Sequence, residues 1–578
     1  MVIPSARLSF YKRVATLQKL VDEAYSPGRL IKVLIYLWQA KRFPYLQPER
    51  QPWGTSQLAT EPAVQNFVTW LDEQPFDEAA YWLATLHSRL VGAAVREERA
   101  MFFTPPRLAE RVITDLEKHG ASVLKHKWHD PACGGSAFLV PLALRMKKEL
   151  EKTKVPAKAQ LKKISGSLSG NDIDRDLLDL SDSLLKMALY PLIKEANFIP
   201  DFRLSNRDGL AGEETPHERF DVIVCNPPYR KLRAAEVERY GSEYESIFQG
   251  QPNIYGLFIH KATRLCRRGG WIGLLTPTSF LSGHSFSKLR KHLTEKVDIL
   301  QFDMLSSRTS MFFDVMQETA ISVLSVRTNR RSLAPQVEVA VLSDGGKFIK
   351  VGNCHLPDDG DPWPIPRSAD DAKLLKLVEE CKFGLIDYGY AAKVGHLVGY
   401  RDKRKRFADL PANPGKGIVV PLVWATDIAP IGRFEHGRDH KIKRDAAFVK
   451  VLDLDDSGVV CQSAVLLQRL TSSDQRSRLI AASVPSSWVK KHGGFVCENH
   501  VIVLEPKDEP IVPVPTMAAI LNTTVVDRIF RTISSASNVG VSELKKLPLP
   551  DPNVLVQRLA SGESVEAAVF SSYERTKK

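Results

Sequence analysis

The run Phe220-Asp221-Val222-Ile223-Val224-Cys225 is apolar and β-branched, and it ends abruptly in Asn226-Pro227-Pro228-Tyr229. Ligands of open α/β sheets bind beyond the carboxyl ends of the strands, which is where this tetrapeptide falls. Two successive prolines fix φ and hold the preceding Asn226 extended, so the turn is a stiff shelf with defined polar groups. Such a shelf suits a conjugated amine. An exocyclic amino group on a nucleobase has its lone pair drawn into the ring. If the Asn226 side-chain oxygen and the Pro227 carbonyl accept its two hydrogens, the nitrogen can pyramidalise as a new bond forms, and the positive charge developing there is stabilised. Tyr229 offers an aromatic face against which a base lifted from its stack can pack. No general base is needed, because the proton to be lost becomes acidic once the nitrogen is alkylated. A strand-ending turn with no chemistry is the plain alternative.

A second element lies upstream. Lys127 to Leu139, with Asp130-Pro131-Ala132-Cys133-Gly134-Gly135-Ser136-Ala137-Phe138 at its centre, reads as a strand, a tight glycine turn and a helix. Glycine allows close backbone approach, and a helix N-terminus offers unpaired N–H groups. This is not the G-x-G-x-x-G of a dinucleotide site. Asp130, at the strand end, puts a carboxylate where a ligand's ammonium can sit, which suits an amino-acid-bearing cofactor. Asp172, 37 residues after Gly135, ends the next strand and can accept both hydroxyls of a ribose. Asp208 can bond an adenine amino group.

Elements must hold these groups in place. From about 96 to 330, short β-branched runs alternate with helical patterns, as in a mostly parallel sheet with crossover helices. The expected strands are Leu124–Trp128, Leu168–Ile173, Phe220–Cys225, Trp271–Thr276, Ile299–Met304 and Ala320–Val326. Residues 1–95 read as a helical region, with Leu8–Tyr25 and Phe76–Val95 apolar at helical spacing. Beyond 330, short strands punctuated by Pro and Gly suggest a separate mixed α+β domain. Three domains are therefore expected, 1–95, 96–330 and 331–578.

Composition bounds the function class. The 578 residues are 43% hydrophobic and 25% charged, an ordinary globular balance that excludes disordered, collagenous and coiled-coil chains. With 80 Lys and Arg against 67 Asp and Glu, the net charge is +13, which favours polyanionic partners. Residues 401–450 are denser still, with 12 basic against 6 acidic side chains. Within Tyr400–Phe407, Arg401, Lys403, Arg404, Lys405 and Arg406 are candidates for phosphate contact, beside the reading of a solvated loop. Seven cysteines with no Cys-x-x-Cys pair point to a reducing cytoplasm and no zinc site, and no metal is expected. His126, His129, His436 and His440 lack partners at metal spacing. No long apolar run or signal pattern suggests a membrane.

Taken together, these motifs resemble those of the S-adenosylmethionine-dependent N6-adenine DNA methyltransferases of the gamma motif order, within the restriction-modification methylases. Met101-Phe102-Phe103-Thr104-Pro105-Pro106-Arg107 resembles the family's opening cofactor motif, Asp130–Phe138 its glycine turn, Asp172 its ribose acid and Asn226–Tyr229 its catalytic tetrapeptide. The resemblance spans about 100–330. It implies a Rossmann-like methyltransferase domain and a C-terminal target-recognition domain. The implied cofactor residues are Thr104, Pro105, Asp130, Ala132, Gly134, Asp172, Ile173, Asp208 and Asn226, and the implied catalytic residues are Asn226, Pro227, Pro228 and Tyr229. Methyl transfer to a flipped adenine in double-stranded DNA follows, in company with a restriction endonuclease or other defence-system subunit. One departure is Ser136, where the family has glycine, and weaker cofactor binding is the expected consequence. Segments 463–482 and 521–549 are similar to the family's specificity region. The rival readings are a protein-glutamine methyltransferase, which faces the same lone-pair problem but needs no large DNA-reading domain, and a DNA-binding defence scaffold inactive alone.

Overall fold

The computed structural model describes residues 4–23, 25–47, 56–92, 95–96, 103–211, 219–305, 318–328, 336–399, 401–413, 415–429, 432–438, 446–471, 475–507, 509–534 and 538–575. Met101, Phe102, Tyr400 and His440, singled out above, lie outside these residues. The chain divides into two compact units: Met1–Phe280 with Ser285–Lys350 and Asp358–Gly360, and Leu281–His284 with Val351–Pro357 and Asp361–Lys578.

The first unit holds eight strands of a nine-stranded sheet and the start of the ninth. The sheet's strands are β1 (Trp128–Asp130), β2 (Leu168–Asp172), β3 (Arg203–Asn206), β4 (Phe220–Cys225), β5 (Cys266–Pro277), β6 (Val297–Leu305), β7 (Thr319–Val326), β8 (Val337–Leu342) and β9 (Phe348–Cys354), in the order 3-2-1-4-5-7-6-8-9. The pairs β2–β3, β1–β2, β1–β4 and β4–β5 are parallel, whereas β7 runs antiparallel to both β5 and β6. Strand order reverses between β1 and β4, and a crevice opens at such a switch point beyond the strands' carboxyl ends. Val222, Ile223, Val224 and Cys225 are fully buried, as a central strand covered on both faces requires.

The first strand begins later than its sequence suggests. Leu124 to His126 form a turn, in which the Ser122 hydroxyl accepts the Lys125 N–H at 3.4 Å and the Ser122 N–H is donated to His126 Nδ1 at 3.0 Å. These local side-chain bonds compete with the ladder, so the strand starts at Trp128 and Asp130 becomes its last residue.

The N-terminal residues form α1 (Pro4–Glu23), α2 (Pro27–Arg42), α3 (Ser56–Thr60), α4 (Pro62–Asp72) and α5 (Phe76–Leu90), all within the first unit. Phe10, Phe67, Trp70 and Trp82 cluster among them, with the Phe10 and Trp82 rings 4.6 Å apart. Helix α6 (Pro106–Lys118) opens with proline, whose missing N–H costs nothing there. It lies so close over β5 that a Cβ on Gly273 would stand 2.7 Å from Val112 and Leu116. Helices α7 (Leu139–Leu150) and α8 (Ala157–Ser167) follow the glycine turn, and α9 (Arg175–Ala188) is capped by Asp174, whose carboxylate accepts the N–H of Asp176 and Leu177.

The second unit carries two small sheets, a four-stranded one in which Tyr390–Val394, Val465–Gln468, Ala481–Ser483 and Val501–Pro506 pair antiparallel, and a five-stranded one that includes Arg406–Phe407 and Ile418–Val423. The helices Val514–Leu521, Thr524–Ile533 and Val565–Arg575 contribute Met517, Phe530 and Tyr573 to one apolar core with the four-stranded sheet. No helix among the described residues is long and apolar enough to cross a membrane.

Candidate functional site

The tips of β1, β2 and β4 converge on a cavity of about 420 Å³. Of the residues singled out in the sequence, Thr104, Asp130, Ala132, Gly134, Asp172, Ile173, Asp208, Asn226 and Pro228 line it. Pro105, Pro227 and Tyr229 are buried beside it without forming its wall.

Each acid is held by a local bond. Asp130 is 1% exposed, and its Oδ1 accepts the Ala132 N–H at 3.0 Å. Burial, opposed in part by that N–H and reinforced by the nearby Asp172 charge, pushes its carboxyl up to about 8. Among the described residues no cation pairs with this carboxyl. Asp172 accepts the Gly134 N–H on Oδ2 and the Asp174 N–H on Oδ1, both at 2.8 Å, which ties the glycine turn to the tip of β2. Asp208 is fixed by Tyr240, whose hydroxyl donates to Oδ2 at 2.6 Å, and by Arg239 at 3.1 Å. Beside Asp172, Ile173 is 62% exposed, an apolar surface suited to a flat ring.

Asn226 is held at both ends of its amide. Its Nδ2 donates to Thr104 Oγ1 at 2.9 Å, and the Tyr229 hydroxyl donates to its Oδ1 at 2.5 Å. The segment containing Thr104 therefore reaches from the start of α6 to the catalytic-type tetrapeptide. Tyr229 is only 8% exposed, and its ring stands edge-on to Tyr255 at 6.3 Å.

Glycine does two separate jobs in the turn. Gly134 has φ +49°, in the left-handed region where a Cβ is costly. Gly135 makes room for a helix: a Cβ there would lie 2.5 Å from the Ala84 Cβ of α5. Ser136 also has positive φ, +61°, the conformation that glycine would adopt freely. Its side chain borders a separate cavity of about 20 Å³ with Tyr81 and Ala84, and it is absent from the wall of the large one. The extra Cβ thus does not obstruct the large cavity.

Several wall residues carried no isolated signal. Arg239 and Tyr240 sit on the helix Ala234–Tyr244 after the tetrapeptide, and Arg230 pairs with Glu236 through bonds of 2.6 and 2.5 Å. That pairing holds the Glu236 carboxyl below its usual range. Phe103 was visible only as a neighbour of Thr104. Cys133 and Cys225 are buried free thiols whose burial pushes them well above the usual range, unfit as nucleophiles. His129, buried and stacked on Phe220 at 4.1 Å, is lowered to about 3 by burial and stays neutral.

In the second unit, Arg401, Lys403 and Lys405 are exposed. Arg404 is matched by Asp402 at 2.6 Å and Asp456 at 3.5 Å, and Arg406 donates to the Gly399 carbonyl at 3.0 Å.

Comparison with known proteins agrees with this geometry. A model of the Eco57I restriction-modification methylase family matches residues 142–312. The chain is similar to the Type II methyltransferase M.BsuBI of Bacillus subtilis, 24% identical over 393 residues that cover 65% of this chain and 75% of that one. It is also similar to the Type II methyltransferase M.PstI of Providencia stuartii, 22% identical over 375 residues that cover 62% and 69%. In fold it resembles the Type IIL restriction-modification enzyme MmeI, solved in complex with DNA, with a TM-score of 0.52 at 10% identity over 99% of this chain and 91% of that one. The cofactor implied is S-adenosylmethionine. The cavity fits such a group, since the buried Asp130 carboxyl, the Asp172 carboxylate at the tip of β2 and the exposed apolar side chain of Ile173 face one space. The chain is thus similar in sequence to restriction-modification methylases over much of its length, and in fold to a restriction-modification enzyme.

Proposed function

We propose that the chain is a site-specific DNA methyltransferase acting on the N6 amine of an adenine flipped from the duplex, as the modification arm of a restriction or other defence system. The observation that carries this reading is the Asn226 amide at the end of β4, opening on the same cavity as Asp130, Asp172 and Asp208. When bound, S-adenosylmethionine supplies an electrophilic methyl group on a sulfonium. Asp130 would then hold its ammonium, Asp172 the ribose hydroxyls, Ile173 the adenine ring and Asp208 the adenine amine, all four lining one cavity. Thr104, Ala132 and Gly134 shape the walls, and Pro105 is buried beside them.

On the other side, Asn226 Oδ1 and the Pro227 carbonyl accept the two hydrogens of the target amine. The Asn226 amide is held by Thr104 and Tyr229 before reaction, so it stabilises charge as it develops on nitrogen with little reorganisation. Pro228 stiffens the shelf. The second unit supplies DNA contact, with Arg401, Lys403 and Lys405 the exposed members of its basic stretch. Free cysteines suit a cytoplasmic setting.

The test is incubation of the purified chain with methyl-labelled S-adenosylmethionine and mixed genomic DNA, followed by nucleoside analysis. Label in N6-methyladenine is expected. Label on protein glutamine would favour the rival enzyme, and cofactor binding without transfer would favour a scaffold.

A further inference from the structure

The glycine turn is a thin wall with two sides. Gly134 faces the large cavity, whereas Gly135 and Ser136 border the small one of about 20 Å³, across from Asp77, Tyr81 and Ala84 of α5. Three bonds fix the turn to its neighbours. The Cys133 N–H is donated to the Asn171 carbonyl at 2.9 Å and the Gly134 N–H to Asp172 Oδ2 at 2.8 Å, while the Ser181 hydroxyl of α9 donates to the Gly134 carbonyl at 2.5 Å. From behind, Ala84 of α5 meets it. Gly135 has no positive φ, so its backbone admits any side chain, yet a Cβ there would stand 2.5 Å from the Ala84 Cβ. Space alone demands the glycine. The N-terminal helices also reach the neighbouring strand tip. Lys32 of α2 pairs with Asp176 and Asp179 of α9 at 3.2 and 3.1 Å, and the capping residue of α9, Asp174, donates its N–H to Asp172.

Resting on the cofactor reading of the large cavity, we propose that the N-terminal helices form the rear support of the cofactor site, with Ala84 a positioning residue that sets how far the glycine turn projects toward S-adenosylmethionine. Protein interiors are close-packed, so a turn this thin passes displacement on instead of absorbing it. Part of any overlap between residues 84 and 135 falls on the turn, because α5 is backed by the packed rings of Phe10 and Trp82, 4.6 Å apart. Gly134 is joined to Gly135 by one peptide unit and moves with it, carrying along the N–H that Asp172 accepts. A wall displaced by a fraction of an ångström fits the same ligand less well. Loss of packing deeper in the N-terminal cluster, as at Phe67, has no such route to the cavity.

The experiment measures S-adenosylmethionine binding to the full chain by calorimetry, with thermal melting in parallel. Gly135→Ala should raise Kd about tenfold, within the coupling usual for residues in contact. Adding Ala84→Gly should bring Kd back to within about twofold of the parent, because the nearest atom to the new Cβ is then the residue 84 Cα at 3.5 Å, an ordinary contact. Phe67→Leu should lower the melting temperature while Kd stays within about twofold. An unchanged Kd for Gly135→Ala overturns the proposal, as does a rise that is the same whether residue 84 is alanine or glycine. A Phe67→Leu protein whose Kd rises as much also overturns it, in favour of general destabilisation. Should Gly135→Ala fail to fold, Ala84→Ser tests the contact from the other side: a raised Kd supports the proposal and an unchanged Kd overturns it. No arm requires methyl transfer. A parent that binds the cofactor but methylates no adenine defeats the functional reading and leaves these outcomes decisive, whereas a parent that binds no S-adenosylmethionine defeats both.

Discussion

Two polar regions of this molecule illustrate opposite fates for charge. At the strand tips of the first unit, Asp130, Asp172 and Asp208 face one cavity, and each is oriented by a bond to backbone or side chain. In the second unit, the basic stretch at 401–406 looks denser in sequence, yet Arg404 is matched by two aspartates and Arg406 by a carbonyl. Charge converging on a cavity can act on a ligand. Charge that finds partners within its own loop mainly shapes the loop.

The sharpest way to break this contrast is at Asn226. Asn226→Ala should lower methyl transfer about 10²- to 10³-fold or more while the cofactor dissociation constant, measured by calorimetry, changes less than threefold. Retained activity would mean that the convergence at β4 is incidental. Next comes Asp130. Its folded value of about 8 lies above the ordinary 3.8, so the unliganded protein loses stability as pH rises from 3.8 through about 8. Asp130→Asn should flatten that slope in denaturant titrations. A cationic ligand favours the ionised acid, so wild-type S-adenosylmethionine binding should tighten as pH rises through about 8. The variant should bind about tenfold more weakly, without that dependence.

Smaller effects probe the glycine turn. Gly135→Ala must displace Ala84 of α5 and should cost about 1–3 kcal/mol in unfolding measurements. Ser136→Gly relieves a left-handed serine and should gain about 1 kcal/mol, with cofactor affinity within twofold. A large gain in affinity would instead restore the expectation that Ser136 weakens the site. The smallest change is in DNA binding. Removing exposed Lys403 should reduce the salt slope of binding by about one unit, and Arg404→Ala by less, because that guanidinium is already matched.

Much of the site was legible because its signals are local. Phe220–Cys225 is a strand to the residue, since an apolar run meeting two prolines can neither continue nor bend gradually. Asp172 ends β2, one residue short of the expected end of that strand. Other elements were less visible. The turn at Ser122–His126 depends on side-chain bonds that no periodicity reports, and β3 is a polar edge strand of four residues with none buried. Arg239 and Tyr240 reach Asp208 only through the folding back of the helix that carries them.

The sequence alone determined which groups could do the chemistry: an amide on a proline-braced shelf, three acids and a glycine turn, each defined by neighbours one to four positions away. Only the tertiary structure decided how they are used. It turned the Tyr229 hydroxyl inward onto Asn226, assigned Gly135 to a helix from the N-terminal region and matched Arg404 with Asp456. Those outcomes depend on packing between residues 3 to more than 50 positions apart, where side-chain direction is set by contacts that spacing along the chain does not encode.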